Sequence, residues 1–100
     1  MSKIGTDKAK KNERLRLSGT ARLIRSFRLG RHITQKQLAF NLNIRENYLW
    51  QIENGQKLPS VTIILRFASI FQISPTFVKR VWLEDYVSLV EQHVKRNLEL

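Results

Sequence analysis

The 100-residue chain has no cysteine, which excludes a disulfide framework and any thiolate-ligated metal. Its two histidines, His32 and His93, stand apart from any nucleophile or ligand cluster, so no catalytic group, metal or cofactor is expected. Four glycines and two prolines form neither a phosphate-cradling loop nor a flexible linker. No window approaches the roughly 18–20 consecutive apolar residues of a membrane helix. The basic N-terminal run has no apolar segment of the kind a secretory signal carries, so a cytoplasmic chain without a membrane partner is expected. Strict apolar–polar alternation is missing as well, which leaves an all-α class. Acidic residues are scarce, eight against 18 Lys and Arg, for a net charge of +10.

The positive charge is unevenly placed. Residues 1–33 hold ten Lys and Arg against Asp7 and Glu13, whereas residues 34–100 hold eight against six acids. A basic excess gathered into one third of a small chain fits a polyanionic partner, although a self-repelling, solvated tail has the same composition. Residues 1–17, MSKIGTDKAKKNERLRL, are expected as a basic arm carrying Lys8, Lys10, Lys11, Arg14 and Arg16. The arm has two uses on nucleic acid: insertion of Arg or Lys into a minor groove, or diffuse attraction to phosphates. The second is slightly favoured, because no single Arg stands out.

Hydrophobic residues, 42% of the chain, recur at helical spacing. Ser18 or Thr20 suits the cap of a helix over about 20–30, with Leu23, Ile24 and Phe27 inward and Arg22, Arg25 and Arg28 on other faces. Thr34 caps a helix over about 35–42 whose inner stripe is Leu38, Ala39 and Leu42. Asn43 suits a left-handed turn, and a third helix follows over about 46–54 with Leu49 and Ile52 inward. Gly55 suits its left-handed end. Ser60 caps a helix over about 61–71 with Ile64, Leu65, Ala68 and Phe71 inward. Ser74-Pro75 opens a short helix over about 75–80. From Val81 to Leu100 one more helix is expected, with Leu83, Val87, Val90 and Val94 at heptad-like spacing. That stripe serves either packing within the chain or a two-fold interface, and the second is favoured. Glu84 and Asp85 read as a solvated face. The expected organisation is an arm at 1–17, a domain at 18–80 and a C-terminal helix at 81–100.

The second and third helices lie almost against one another. A small residue, Ala39, allows their close approach, and Leu38, Leu42, Ile44, Leu49 and Ile52 lock the pair, each larger side chain contributing roughly 1.5–3 kcal/mol when buried. The residues TQKQLA (34–39), L-x-I (42–44), YLWQIENG (48–55) and P-S (59–60) resemble the Cro/repressor (Xre) family of helix-turn-helix DNA-binding proteins. The resemblance covers roughly Leu23 to Val78. It implies a five-helix repressor-like domain, here with an additional C-terminal helix and the basic arm. It also implies that Glu46, Asn47 and Gln51 reach base edges, and that Gln35, which also braces the recognition helix, and Lys57 contact the DNA backbone; Arg45, Trp50 and Lys36 are further candidates for backbone contact. The chemistry agrees, since Asn and Gln pair bidentately with adenine, Glu accepts from cytosine, and Lys positions on phosphate without reading sequence.

Departures from the family pattern qualify these roles. Arg45 stands where a Ser or Thr cap is usual, a loss of about 1 kcal/mol that a phosphate contact can replace. His32 and Asn43 stand at turns where Gly is common. Glu46 is repelled by phosphates and also serves as a first-turn acid complementing the helix dipole. Asn47 and Gln51 have the alternative of a merely solvated polar face. Trp50 points outward, toward a neighbouring loop or tail, or toward DNA sugar or a thymine methyl. Phe40, Leu58 and Ile63 are apolar where the family is usually polar, and such surplus surface is usually covered. The implied function is a sequence-specific double-stranded DNA-binding transcriptional regulator, a repressor on a palindromic operator as a homodimer, cytoplasmic and nucleoid-associated when bound. A second reading is an antitoxin or similar module whose partner is a protein, a toxin or the transcription machinery. RNA binding through the arm is a third.

Overall fold

The computed structural model describes residues 18–98, so the expected arm at 1–17 and the last two residues lie outside the described residues. Among the described residues there are five helices and no strand: α1 (Ser18–Gly30), α2 (Gln35–Leu42), α3 (Glu46–Glu53), α4 (Val61–Phe71) and α5 (Pro75–Leu98). The all-α class is as expected. The separate helices anticipated over 75–80 and from Val81 are one continuous helix of 24 residues. Nothing between Arg80 and Val81 breaks a helix: there is no Gly, no Pro and no competing cap.

Local chemistry sets the helix boundaries. At α2, Thr34 Oγ1 accepts from Gln37 N at 3.0 Å and Gln37 Oε1 accepts from Thr34 N at 2.9 Å, a reciprocal capping box. Ser60 Oγ accepts from Ile63 N at 3.3 Å at the start of α4, and Ser74 Oγ from Phe77 N at 3.4 Å at the start of α5. The first four helices end alike. One or two residues past each end the backbone is left-handed, at His32 (φ 56°), Asn43 (φ 59°), Gly55 (φ 72°) and Gln72 (φ 55°). The amide beyond each reaches back across the last turn: Ile33 to Arg28, Ile44 to Ala39, Gln56 to Gln51 and Ile73 to Ala68, at 2.9–3.1 Å. Three of these four positions hold a side chain in a region costing roughly 1–2 kcal/mol. Replacing exposed Gln72 by Gly is therefore expected to raise the unfolding free energy by about 0.5–1 kcal/mol, after the extra entropy of an unfolded glycine is subtracted. A urea melt with an unchanged slope and a later midpoint checks this.

The start of α1 is capped from a distance. Thr20 does not supply the cap; its buried hydroxyl has no partner among the described residues. Instead Asp85 Oδ2, on α5, accepts from the Thr20 backbone N–H at 2.8 Å. Asp85 is 6% exposed, so it is not part of a solvated face with exposed Glu84. Its negative charge sits on the positive end of the α1 dipole. Gly19 lies against it: a Cβ there would stand 3.4 Å from the carboxylate and from Val81. Asp85→Ala is expected to lower stability by roughly 1–2 kcal/mol. Asp85→Asn, which keeps an acceptor, loses less; paired thermal melts decide.

The core joins Ile24 of α1, Leu38, Ala39 and Leu42 of α2, Leu49 and Ile52 of α3, Ile63, Ile64, Phe67, Ala68 and Phe71 of α4, and Val78 of α5. Phe27, Phe67 and Phe71 form a ring cluster with centroids 4.9–6.0 Å apart. Leu65, expected inward, is 40% exposed, while Phe67 is fully buried. Ile64, Ala68 and Phe71 face inward as expected, and the inner face of α4 extends to Ile63 and Phe67 in place of Leu65. α5 packs against α1 and α4. Its Trp82 Nε1 donates to the Pro59 carbonyl at 2.7 Å, tying the loop after α3 to α5.

Candidate nucleic-acid interface

The α2–α3 pair is built to hold the start of α3 rigid. Leu49 and Ile52 face the core, fully buried, and Tyr48 and Ile44 pack at its edge. One helical turn away on the other side, Glu46, Asn47 and Trp50 are exposed and Gln51 is half-buried. Arg45, just before the helix, is extended (φ −77°, ψ 148°) and makes no side-chain cap hydrogen bond, so the amides opening α3 have no side-chain cap from it. Trp50 is 44% exposed; its carbonyl accepts from Asn54 Nδ2 at 2.8 Å, so what it presents outward is its ring. Lys36 at the start of α2 and Lys57 after α3 are both exposed. The structure thus places Glu46, Asn47 and Gln51 on the outward side of α3, with Arg45 immediately before them.

The pair is held by a buried polar network that composition does not reveal. Glu53, 5% exposed at the end of α3, accepts from Arg28 Nε at 2.7 Å and Arg28 Nη2 at 3.0 Å, a two-pronged ion pair. Arg28 Nη1 donates to the Ile33 carbonyl at 2.9 Å, fixing the turn into α2. Gln35 Nε2 donates to Glu53 Oε1 at 3.0 Å. One carboxylate therefore ties together the end of α1, the start of α2 and the end of α3. Arg28 is not a surface cation, as its expected place on an outer face would make it; its side chain is 11% exposed. A signal for both residues was present in the sequence. Arg28 lies four residues after Ile24, and Glu53 lies one after Ile52 and four after Leu49, so each charge falls in phase with a core stripe and requires a partner.

A second support lies at the turn. Arg66 of α4 donates from Nη1 to the Leu42 carbonyl at 2.6 Å, satisfying an end carbonyl of α2 beside Asn43. The guanidinium of Arg31 lies 5.4 Å from the Phe71 ring centroid, a cation–π contact at the other end of the core. The surplus apolar residues divide. Ile63 is 8% exposed and belongs to the core, Leu58 is half-buried, and Phe40 is 84% exposed on the outer face of α2. Among the described residues no group of His and acidic side chains is arranged to hold a metal, and no helix is long and apolar enough to cross a membrane.

What this arrangement offers is a short helix whose first turn presents an acid, an amide and, one turn on, a second amide, on a stiff support flanked by cations. Two independent comparisons fit it. A helix-turn-helix family model matches residues 24–78, more than half the chain. A crystal structure of the clp gene regulator ClgR from Corynebacterium glutamicum aligns with a TM-score of 0.57 at 25% identity, covering 85% of this chain and 87% of that one. No curated protein matches the chain by sequence. The matched span takes in α2, α3 and the core that holds them, and the chain belongs to the Xre-type helix-turn-helix family.

Proposed function

We propose that the protein is a repressor that binds a palindromic operator as a homodimer, with α3 as the recognition helix. As a member of this family with a gene regulator among its structural neighbours, it is a DNA-binding transcriptional regulator and not an enzyme. The observation that carries the finer reading is the two-sided character of α3, buried through Leu49, Ile52 and Glu53 and outward through Glu46, Asn47 and Gln51. In this reading α3 enters the major groove. Asn47 and Gln51 read adenine edges, and Glu46 accepts from cytosine. Gln35, Lys36, Arg45 and Lys57 meet phosphates, and Trp50 lies against sugar. The protein works in the cytoplasm, nucleoid-associated when bound, by occupying a site that overlaps a promoter.

The basic residues at 1–17 add attraction that does not depend on sequence. Gel shifts at several salt concentrations test this division. Deleting residues 1–17 is expected to weaken binding to every duplex and to flatten the salt slope by about 0.9 for each phosphate the arm neutralises, leaving the ranking of duplexes unchanged. A changed ranking would move sequence reading into the arm.

One observation favours a second reading, binding of a protein such as a toxin or a component of the transcription machinery. Phe40, at 84% exposure, projects from a shallow groove bordered by Arg31, His32, Ile33 and Lys36. Phe40→Ser leaves duplex binding unchanged if that face serves a protein partner alone, and isothermal titration with duplex separates the two uses.

A further inference from the structure

The outer side of α5 carries an exposed apolar stripe with charged residues beside it. Leu83, Val87, Val90 and Val94 are 51%, 44%, 43% and 47% exposed, so among the described residues nothing buries the stripe. The helix docks by its other side, through buried Val78 and Asp85 and half-buried Trp82. At roughly 100° per residue the centre of the stripe lies about 145° around the helix from those docking residues. A second helix laid on the stripe therefore meets no obstruction from the chain's own core.

We propose that α5 pairs with α5 of a second copy in parallel, in-register orientation. The proposal rests on the homodimer reading above and specifies its interface. In heptad terms Val87 and Val94 take the a positions and Leu83, Val90 and Asn97 the d positions. Branched side chains at a with Leu at d favour two parallel strands, a pattern from which Val90 and Asn97 at d and Arg80 at a depart. The flanking charges decide the orientation. Glu84 and Glu91 fall at e, and Lys79, Tyr86 and His93 at g; Lys79, Glu84 and Glu91 are all exposed. A parallel pair sets each Lys79 beside Glu84 of the other copy, an attraction made twice, and Tyr86 beside Glu91. An antiparallel pair centred on the same stripe sets Glu84 beside Glu91, a repulsion made twice. Parallel pairing also brings both helix-turn-helix units to one end of the joined helices, whereas antiparallel pairing places them at opposite ends of helices about 36 Å long.

The chain has no cysteine, so single-cysteine variants of the full-length protein report the orientation without background. Sedimentation equilibrium at tens of micromolar first measures the mass. Asn97→Cys alone, equilibrated in a glutathione buffer, is expected to form a covalent dimer, because the two d positions face each other. A mixture of Asn97→Cys and Arg80→Cys chains is expected to form no excess of the mixed 80–97 link. Glu84→Lys is expected to raise the dimer Kd about five- to tenfold by facing Lys79, and the pair Lys79→Glu with Glu84→Lys to restore it. A dimer that gives the 80–97 link, or that Glu84→Lys tightens, overturns the parallel arrangement and leaves the homodimer standing. A dimer that gives neither link removes the stripe from the interface. A monomer at these concentrations overturns the homodimer reading itself.

Discussion

Replacing Glu53 by Ala is expected to lower the unfolding free energy by about 3 kcal/mol, at the lower end of what breaking a buried ion pair costs. The change deletes the acceptor of two Arg28 hydrogen bonds and one from Gln35. It leaves a guanidinium with its side chain 11% exposed and without its counter-charge. That residual exposure lets water reach part of Arg28, which is why the loss is placed at the lower end. For a chain of this size the midpoint of thermal unfolding falls by roughly 12–24 °C. The wild-type interaction is not worth that amount in itself. Replacing both partners by apolar side chains, Arg28→Met with Glu53→Leu, is expected to recover most of the stability, because neither partner is then stranded. Duplex affinity should not recover with it, since Gln35 loses its acceptor and α2 is no longer pinned to α3. Thermal melts and duplex titrations on the single and double variants separate the two roles. Equal loss of stability in the single and double variants would contradict the argument.

Gln51→Ala is expected to leave the melting temperature within about 2 °C of the parent, since the side chain is half-exposed and makes no hydrogen bond among the described residues. Its effect falls on discrimination. Loss of a bidentate amide contact costs roughly 1–3 kcal/mol against the preferred base, about 5- to 150-fold in the ratio of specific to altered duplex. Affinity for unrelated duplex, carried by phosphate contacts, should stay within about twofold. Asn47→Ala is expected to behave likewise at a different base pair. Lys57→Ala should differ in kind, weakening every duplex by a similar factor and reducing the salt slope by about 0.9. Fluorescence anisotropy with matched and single-substituted duplexes at two salt concentrations gives all of these numbers. A Gln51 variant that discriminates as well as the parent would remove α3 as the reader.

The parts of the fold that depend on neighbours in sequence were the legible parts. Thr34, Ser60 and Ser74 cap because each is followed three residues later by the amide it accepts from, and Asn43 and Gly55 end helices because their backbones tolerate a positive φ. Gln72 does the same without any such tolerance; the packing of Ile73 and Phe71 against the core imposes the turn on it. The parts set by distant residues were not legible. Arg28 and Glu53 are 25 positions apart, and Thr20 and Asp85 are 65 apart, so no local rule pairs them. The continuity of α5 was obscured for a different reason. It has an inward face at Val78, Val81, Trp82 and Asp85 and a second apolar face at Leu83, Val87, Val90 and Val94, and two stripes on one helix blur the period that identifies either. In the candidate interface, the outward side of α3 could be read from the spacing of Leu49 and Ile52. The burial of Arg28 and Glu53 could be read from their phase with the core stripes, but not their pairing with each other and with Gln35.

Selection of bound duplexes from a random pool, run side by side with the parent protein and Gln51→Ala, tests most directly whether α3 reads bases. The parent is expected to enrich an inverted repeat whose half-sites lie about one helical turn apart. The variant is expected to enrich the same repeat with preference relaxed at one position in each half, leaving the others intact. Enrichment of no common sequence by the parent, or of an identical sequence at every position by both proteins, would contradict the assignment.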